Sequence, residues 1–245
     1  MRLKIFLFCL VLFGLLSCKT KKKETLTVSV SFSESIGSEN VDGRLLLMFA
    51  SDSIREPRFQ ISAGLNAQPI FGMDVEGMTT AQTQVFDNEI FGFPYTSLSE
   101  LPPGEYYVQA LLHVYETFEL STGHTVKLPM DNGEGQKWNR SPGNLYSKPL
   151  KIEIQEGVAQ QISLVMDEKI PPIQEPEDTP WIKHIKMKSE NLSEFWGRDM
   201  YLGAHIQLPK GFDDHPEAKY PLMILHGHFP DDFGGFRTTP PDPDL

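Results

Sequence analysis

Short stretches in which apolar and polar residues alternate recur through the first two thirds of this chain. Residues 25–32 read TLTVSVSF, with apolar side chains at every second position, which is typical of a strand with one buried face. Residues 45–50 form a continuous apolar run, and residues 106–118 are rich in aromatic and aliphatic side chains, so both predict buried strands. Residues 150–154 and 161–166 predict two further short strands.

Clusters of glycine, proline and asparagine separate these predicted strands. The pair Asp42-Gly43 predicts a turn before the second strand, and Glu156-Gly157 predicts a hairpin turn between the last two. Several short strands joined by such turns favour an antiparallel β-sandwich over residues 25–166. The stretch LPPGEYYVQA at residues 101–110 also resembles the turn and strand of small immunoglobulin-like or transthyretin-like modules in secreted bacterial proteins.

The composition changes at residues 167–180. This stretch, DEKIPPIQEPEDTP, holds four prolines and five acidic residues and has no pattern that could build a core. Prolines and like charges extend a chain, so we interpret it as an acidic linker between two domains. Beyond it, residues 181–188 and 199–208 predict two strands. A turn at residues 209–214 then precedes a largely apolar predicted strand at residues 220–225.

The order of motifs after the linker resembles a known enzyme fold. LPKGFD at residues 208–213 and KYPLMILHG at residues 219–227 are similar to the start of the α/β-hydrolase fold in the secreted esterase family that includes esterase D-like and feruloyl-esterase-like enzymes. The resemblance implies that Gly227 permits a sharp turn after a buried strand. It also implies that a backbone amide of His228 or Phe229 donates to the oxyanion of a tetrahedral intermediate. These three residues are the candidate oxyanion-hole backbone.

The remaining catalytic groups of such an enzyme are absent from the sequence. The resemblance implies a serine nucleophile in a Gly-x-Ser-x-Gly elbow, followed by an acid and a histidine. No Gly-x-Ser-x-Gly occurs in the chain, and only residues 229–245 follow His228. We therefore expect the front portion of a longer protein, with the first strands of a truncated α/β-hydrolase domain at residues 181–245. This chain of 245 residues should therefore have no catalytic residue of its own and no hydrolase activity.

The N-terminal residues predict export and lipid attachment. Basic residues at positions 2 and 4 precede an apolar run at residues 5–16, which is typical of a signal peptide and shorter than the roughly 20 residues of a membrane-spanning helix. An uncleaved membrane helix is the alternative. Leu15-Leu16-Ser17-Cys18 resembles the bacterial lipobox, which implies cleavage after residue 17 and lipidation of Cys18. Residues 18–24 would form a basic tether beside anionic lipid head groups.

Composition excludes several kinds of partner. The net charge is −11, and loss of the signal peptide would remove basic residues and no acidic ones, so nucleic acid is not an expected partner. The chain's two cysteines fall in the predicted signal peptide and at the lipidation site, which leaves none for a disulfide or a thiolate metal site. We expect no cofactor. A metal site at His226 and His228 with Asp231 and Asp232 is an alternative that we do not favour, because Pro230 stands where such His-x-His sites carry an aspartate.

The loop at residues 131–147 predicts a different kind of site. It reads DNGEGQKWNRSPGNLYS, and Trp138 or Tyr146 could stack a sugar ring. The competing interpretation is a structured loop that folds over the sandwich. Trp181 and Trp196, near the linker, are interpreted as core residues between the two parts, and His113 as a packed or surface histidine.

Together these patterns predict a mainly β chain in five parts. Its expected function is the N-terminal part of a serine-esterase-like hydrolase, held by lipid in the bacterial cell envelope, with an ester as the substrate of the complete protein. A lysine directly after the lipidated cysteine favours the outer membrane. The alternative is a non-enzymatic surface lipoprotein whose sandwich binds carbohydrate or protein. The five parts are a signal peptide (1–17), the basic tether (18–24), the β-sandwich (25–166), the acidic linker (167–180) and the start of the hydrolase domain (181–245).

Overall fold

Strands dominate the secondary structure of this protein. The computed structural model describes residues 26–37, 40–131, 135–174 and 177–225. The strands are β1 Leu26–Phe32, β2 Val41–Ala50, β3 Ile70–Met78, β4 Gln84–Phe86, β5 Gly92–Phe93, β6 Gly104–Glu119, β7 Thr125–Leu128, β8 Leu145–Tyr146, β9 Leu150–Ile154, β10 Gln160–Met166, β11 Glu168–Lys169, β12 Ile182–Lys188 and β13 Tyr201–Gln207. Within the described ranges an α-helix, α1, spans Glu190–Trp196, and 3-10 turns span Glu34–Ile36, Pro57–Phe59, Leu98–Glu100 and Trp138–Arg140. The expectation of a mainly β fold is confirmed.

The strands form two large sheets and one separate hairpin. The smaller of the two has the order β10-β1-β4, and the larger has the order β11-β8-β6-β2-β3-β5, with β7 and β9 also paired to β6. The hairpin consists of β12 and β13. The expected antiparallel arrangement is wrong for one pair, because β1 and β10 are parallel. More than 120 residues separate these two strands, so the long crossover that a parallel pair needs is available.

Both large sheets contribute side chains to one hydrophobic core. Along β1 every second residue is buried, as the alternating sequence predicts. The ring of Phe49 from β2 meets the rings of Phe71 and Tyr106 edge to face, with centroids 5.9 Å and 6.0 Å away. Members of the core from the strands of these two sheets include Val28, Val30, Leu45, Leu47, Phe49, Phe71, Phe86, Val108, Ala110, Leu112, Leu164 and Met166.

The central strands β2 and β6 are buried on both faces. Met48, Gln109 and Leu111 point away from the shared core and are nevertheless inaccessible to solvent. The 3-10 turn Pro57–Phe59 contributes to this cover, since the backbone of Arg58 bonds to the side chain of Gln109. Burial on two faces explains why residues 45–50 read as a continuous apolar run rather than an alternating one.

Two predicted turns have a different role in the structure. Asp42-Gly43 lies inside β2 at a register shift opposite β3, and a side chain on Gly43 would collide with the backbone carbonyl of His113. Glycine is therefore required there by the close approach of a neighbouring strand. Gly157 does adopt a left-handed turn conformation, with φ of 70°. However, β9 pairs with β6 and β10 pairs with β1, so this turn carries the chain between sheets and the predicted hairpin is wrong.

The C-terminal third contains the two predicted strands beyond the linker and an unpredicted helix. Ser189 caps α1 by accepting a hydrogen bond from the amide of Leu192, and Gly197 ends the helix in the left-handed conformation. Part of the predicted linker belongs to the larger sheet, because β11 lies within it and pairs with β8. The prediction of a strand at residues 220–225 is wrong, because the chain forms no strand between Leu208 and Leu225.

Candidate functional site

Most of the residues that the sequence singles out for chemistry lie outside the described residues. This applies to Cys18, and to Gly227, His228 and Phe229 of the candidate oxyanion hole. It applies equally to the histidines and aspartates of the alternative metal site. Their roles therefore stay predictions. The residues predicted to stack a sugar, Trp138 and Tyr146, are both described.

The segment that leads toward the candidate oxyanion hole is exposed. Leu222, Met223, Ile224 and Leu225 are 82%, 81%, 79% and 79% exposed. The turn that precedes this run is formed as predicted, with the amide of Phe212 donating to Pro209 O at 3.3 Å and the amide of Asp214 donating to Gly211 O at 3.1 Å. The described part of the chain thus presents a well-formed turn followed by an uncovered apolar run.

A network of polar side chains surrounds the loop that carries Tyr146. Arg58 is 8% exposed, and its Nε donates to the Glu56 carboxylate at 2.8 Å. Its guanidinium also donates to Asn139 O at 3.2 Å, while the Asn139 side chain donates to Arg58 O at 3.1 Å. Gln109, fully buried in β6, donates to Glu56 at 2.8 Å and to Ser147 O at 2.8 Å. This network fastens two loops to the outer face of the larger sheet.

Aromatic rings complete the same cluster. The guanidinium carbon of Arg58 lies 4.4 Å from the centre of the Phe59 ring and 4.1 Å from that of Tyr146. A cation over a ring face is held by the ring's quadrupole, so one face of Tyr146 is already occupied. Trp138 opens a 3-10 turn and is half-buried, and its carbonyl accepts from the side-chain Nδ2 of Asn144 at 2.7 Å. Sugar stacking on Trp138 or on the second face of Tyr146 stays a prediction.

A groove opens at one end of the shared core. Its volume is about 590 Å³, and its lining includes Ile36, Val41, Val114, Tyr115 and Lys169. A groove of this size with mixed apolar and polar walls falls in the range of small-molecule sites, about 300–1,000 Å³. No local sequence pattern predicts this groove, because its walls come from six separate stretches of the chain.

The carboxylate of Asp42 lies at the rim of this groove and is held by two partners. It forms an ion pair with the Lys127 ammonium at 2.9 Å and accepts from the amide of Gly77 at 2.7 Å. The hydrogen bond from Lys127, reinforced by that from Gly77, lowers the pKa of Asp42 below its ordinary value. The charge of Asp42 is therefore largely neutralised by the protein itself.

A pair of histidines on the C-terminal hairpin forms a further polar cluster. His184 and His205 are direct partners across β12 and β13, with ring centroids 5.0 Å apart. Asp178 accepts from both the backbone amide and the Nδ1 of His184, each at 2.9 Å, which lowers the pKa of Asp178. Among the described residues, no group of three or more potential ligands is arranged to hold a metal ion. The two histidines are far apart in the sequence, and they become neighbours because β12 and β13 pair.

No helix within the described ranges has the length and apolar character needed to cross a membrane. Comparison of the chain with protein-family models, with curated proteins and with solved structures gives no match.

Proposed function

We propose that this chain is the lipid-anchored N-terminal part of an esterase-like hydrolase of the bacterial cell envelope. The observation that carries the proposal is the run Leu222 to Leu225, in which four consecutive large apolar side chains are each about four-fifths exposed. Burial of one such side chain lowers the free energy by about 1.5–3 kcal/mol relative to exposure to water, so packing another part of the protein against this run would be strongly favourable. The proposed cover is the rest of a hydrolase domain, against which these four side chains would pack.

The hairpin before this run supports the same proposal. Met187 on β12 and Tyr201 and Leu202 on β13 are about half exposed although they are large and apolar. A two-stranded sheet is marginally stable alone and normally needs further strands or a helix against it. Additional strands and helices of an α/β-hydrolase domain would provide that packing.

Contacts between the hairpin unit and the larger sheet give the N-terminal sheets a role in this proposal. Trp196 at the end of α1 packs edge to face on Phe118 of β6, with ring centroids 5.1 Å apart. The guanidinium of Arg198 lies over the same Phe118 ring at 4.4 Å and forms an ion pair with Glu116. The sheets would therefore hold the enzyme domain at a defined position relative to the tether.

The test of the proposal is to read the coding sequence beyond codon 245 and to express the protein that it encodes. We expect a downstream Gly-x-Ser-x-Gly motif and hydrolysis of short-chain p-nitrophenyl esters, abolished when the serine of that motif is replaced by alanine. Gly227→Val in the same protein should lower kcat about a hundredfold, because the turn aims an oxyanion donor. Gly64→Ala is the matched control, since nothing lies near a side chain added at Gly64.

Two results would contradict the proposal. One is a reading frame that continues without a Gly-x-Ser-x-Gly motif, and the other is a longer protein that carries the motif but hydrolyses no ester. The anchor is tested separately by metabolic labelling with a radioactive fatty acid, which should mark the wild-type protein and leave Cys18→Ala unlabelled. Labelling of both proteins would remove the support for a lipid on Cys18.

A second candidate function is carbohydrate binding by the N-terminal sheets. The groove of about 590 Å³ favours it, because Gly143 and Leu145 in its wall belong to the loop that carries Trp138 and Tyr146. Titration with neutral oligosaccharides should then quench tryptophan fluorescence in the wild-type protein and in Trp181→Phe, and not in Trp138→Phe. Equal quenching of all three proteins, or of none, would argue against this function.

A further inference from the structure

The outer strand of the smaller sheet has one open edge. β10 pairs in parallel with β1 over its full length, from Gln160 opposite Leu26 to Met166 opposite Phe32, without a shift in register. Within the described ranges no strand pairs with the other side of β10. An outer strand has backbone amide and carbonyl groups that point away from its sheet, and these groups can bond to another strand.

β10 also lacks the features that protect an edge strand from pairing. Natural edges are usually short, charged, bulged or interrupted by proline. β10 reads QQISLVM over seven residues and has none of these features. The other outer strands of the two large sheets are shorter or charged: β4 has three residues, β5 and β11 have two each, β7 carries Lys127, and β9 carries Lys151 and Glu153.

The pattern of side chains on β10 suits pairing with an identical strand. Leu164 and Met166 are buried in the core, whereas Ser163 and Val165 are exposed on the outer face. A two-fold axis through Ser163 would place Ile162 of one copy opposite Leu164 of the other, in antiparallel register. Residues directly opposite each other point to the same face of a sheet, so the core faces of both copies would lie on the same side.

Charge favours this edge over the rest of the surface as the place where a second copy can approach. The chain has a net charge of −11, so most of its surface repels another copy. β10 carries no charge, and in the register centred on Ser163 the acid that follows the strand, Asp167, stands opposite Ala159. No acidic residue therefore lies opposite another acidic residue in this register.

We propose that β10 is the interface of a homodimer in which two copies join edge to edge into a continuous six-stranded sheet, an isologous contact. The inference is independent of the proposed esterase function.

Charge at the dimer axis provides the first test. Ser163→Lys would place two lysines opposite each other across the dimer axis. Ser163→Glu would place two glutamates opposite each other in the same way. Either variant should raise the dimer dissociation constant about threefold or more, as measured by sedimentation equilibrium of the full chain in a non-ionic detergent. An equimolar mixture of the two variants should recover the wild-type constant, because lysine then faces glutamate. Ser29→Lys is the matched control. Ser29 is the register partner of Ser163 on the neighbouring strand β1, so it lies one strand away from the proposed interface.

A cross-link provides the second test, in a background with Cys9→Ser and Cys18→Ser. Ser163→Cys should form an intermolecular disulfide under mild oxidation, because opposed residues on paired strands have Cβ atoms about 4.5–5.5 Å apart. Ser29→Cys should not, because three strand spacings, roughly 14 Å, would separate the two copies. A wild-type chain that stays monomeric, a dimer that Ser163→Lys leaves unchanged, or equal cross-linking of both cysteine variants would each overturn the proposal.

Discussion

Arg58 illustrates how a charged residue in a loop can belong to the interior. Its guanidinium lies between two aromatic rings and bonds to Glu56 and to a backbone carbonyl. A buried charge is tolerated only with such partners, because an unpaired one would lose its hydration without compensation. The sequence identifies Tyr146 as a loop residue of interest, but it gives no sign that Arg58 covers it. The bond from Arg58 to Asn139 spans 81 residues, and no local pattern predicts such a contact.

We predict that Arg58→Met destabilises the protein by about 2–4 kcal/mol. The variant keeps a side chain of similar length but removes one of the two donors to Glu56 and the hydrogen bond to Asn139, so the network is left incomplete. The measurement is urea denaturation followed by tryptophan fluorescence. Arg55→Met is the control, because Arg55 is exposed, and it should change the free energy of unfolding by less than about 0.5 kcal/mol. Equal effects of the two replacements would show that the network does not contribute to stability.

Whole strands could be predicted where the pattern of side chains is local. β1 alternates strictly, and β6 concentrates aromatic and aliphatic residues, so both were found close to their observed bounds. The sequence of β3, IFGMDVEGM, does not predict a strand, because it contains two glycines and two acids and its burial does not alternate. The error at Gly157 has another cause. Which sheet a strand joins depends on distant partners, and the turn itself gives no information on that choice.

At the scale of strands, Asp42 links three of them. It lies in β2, accepts from the amide of Gly77 in β3 and pairs with Lys127 in β7. These contacts lower the pKa of Asp42 in the folded protein, so its stabilising contribution is present above the pKa of the unfolded chain. It is lost as the pH falls through the folded value. We therefore predict that Asp42→Asn is less stable than wild type at neutral pH. The difference should shrink as the pH falls below the ordinary aspartate pKa of 3.8 and disappear only below the lowered pKa of the folded protein.

The measurement for Asp42 is urea denaturation of both proteins at a series of pH values from neutral to acidic. Asp87→Asn serves as the control, because among the described residues the Asp87 carboxylate accepts only from the backbone amide of Glu89, in its own turn. A difference between wild type and Asp42→Asn that stays constant down to the acidic end of the series would contradict the prediction.

For the whole molecule, the main question is how the C-terminal hairpin relates to the two large sheets. Sequence composition predicts an acidic linker that separates two parts. The first residues of that stretch instead extend the larger sheet as β11, with Ile170 buried beside it. Trp196, interpreted from sequence as a core residue between the parts, does contact Phe118 of β6. Its partner could not be identified from sequence, because composition reports where a chain is polar and not what lies beside it in space.

The same contact yields a prediction about the whole molecule. Trp196→Ala removes the ring that packs on Phe118 and leaves the Arg198–Glu116 ion pair, which is partly exposed and therefore contributes little. The hairpin should then detach more often, and limited proteolysis should cut the segment between β11 and β12 several times faster than in the wild-type protein. Leu192→Ala, on the same helix but exposed, should leave the cleavage rate unchanged. If Trp196→Ala were cut no faster than Leu192→Ala, the contact would not hold the hairpin against the sheet, and the N-terminal sheets could not position a following domain in the manner proposed.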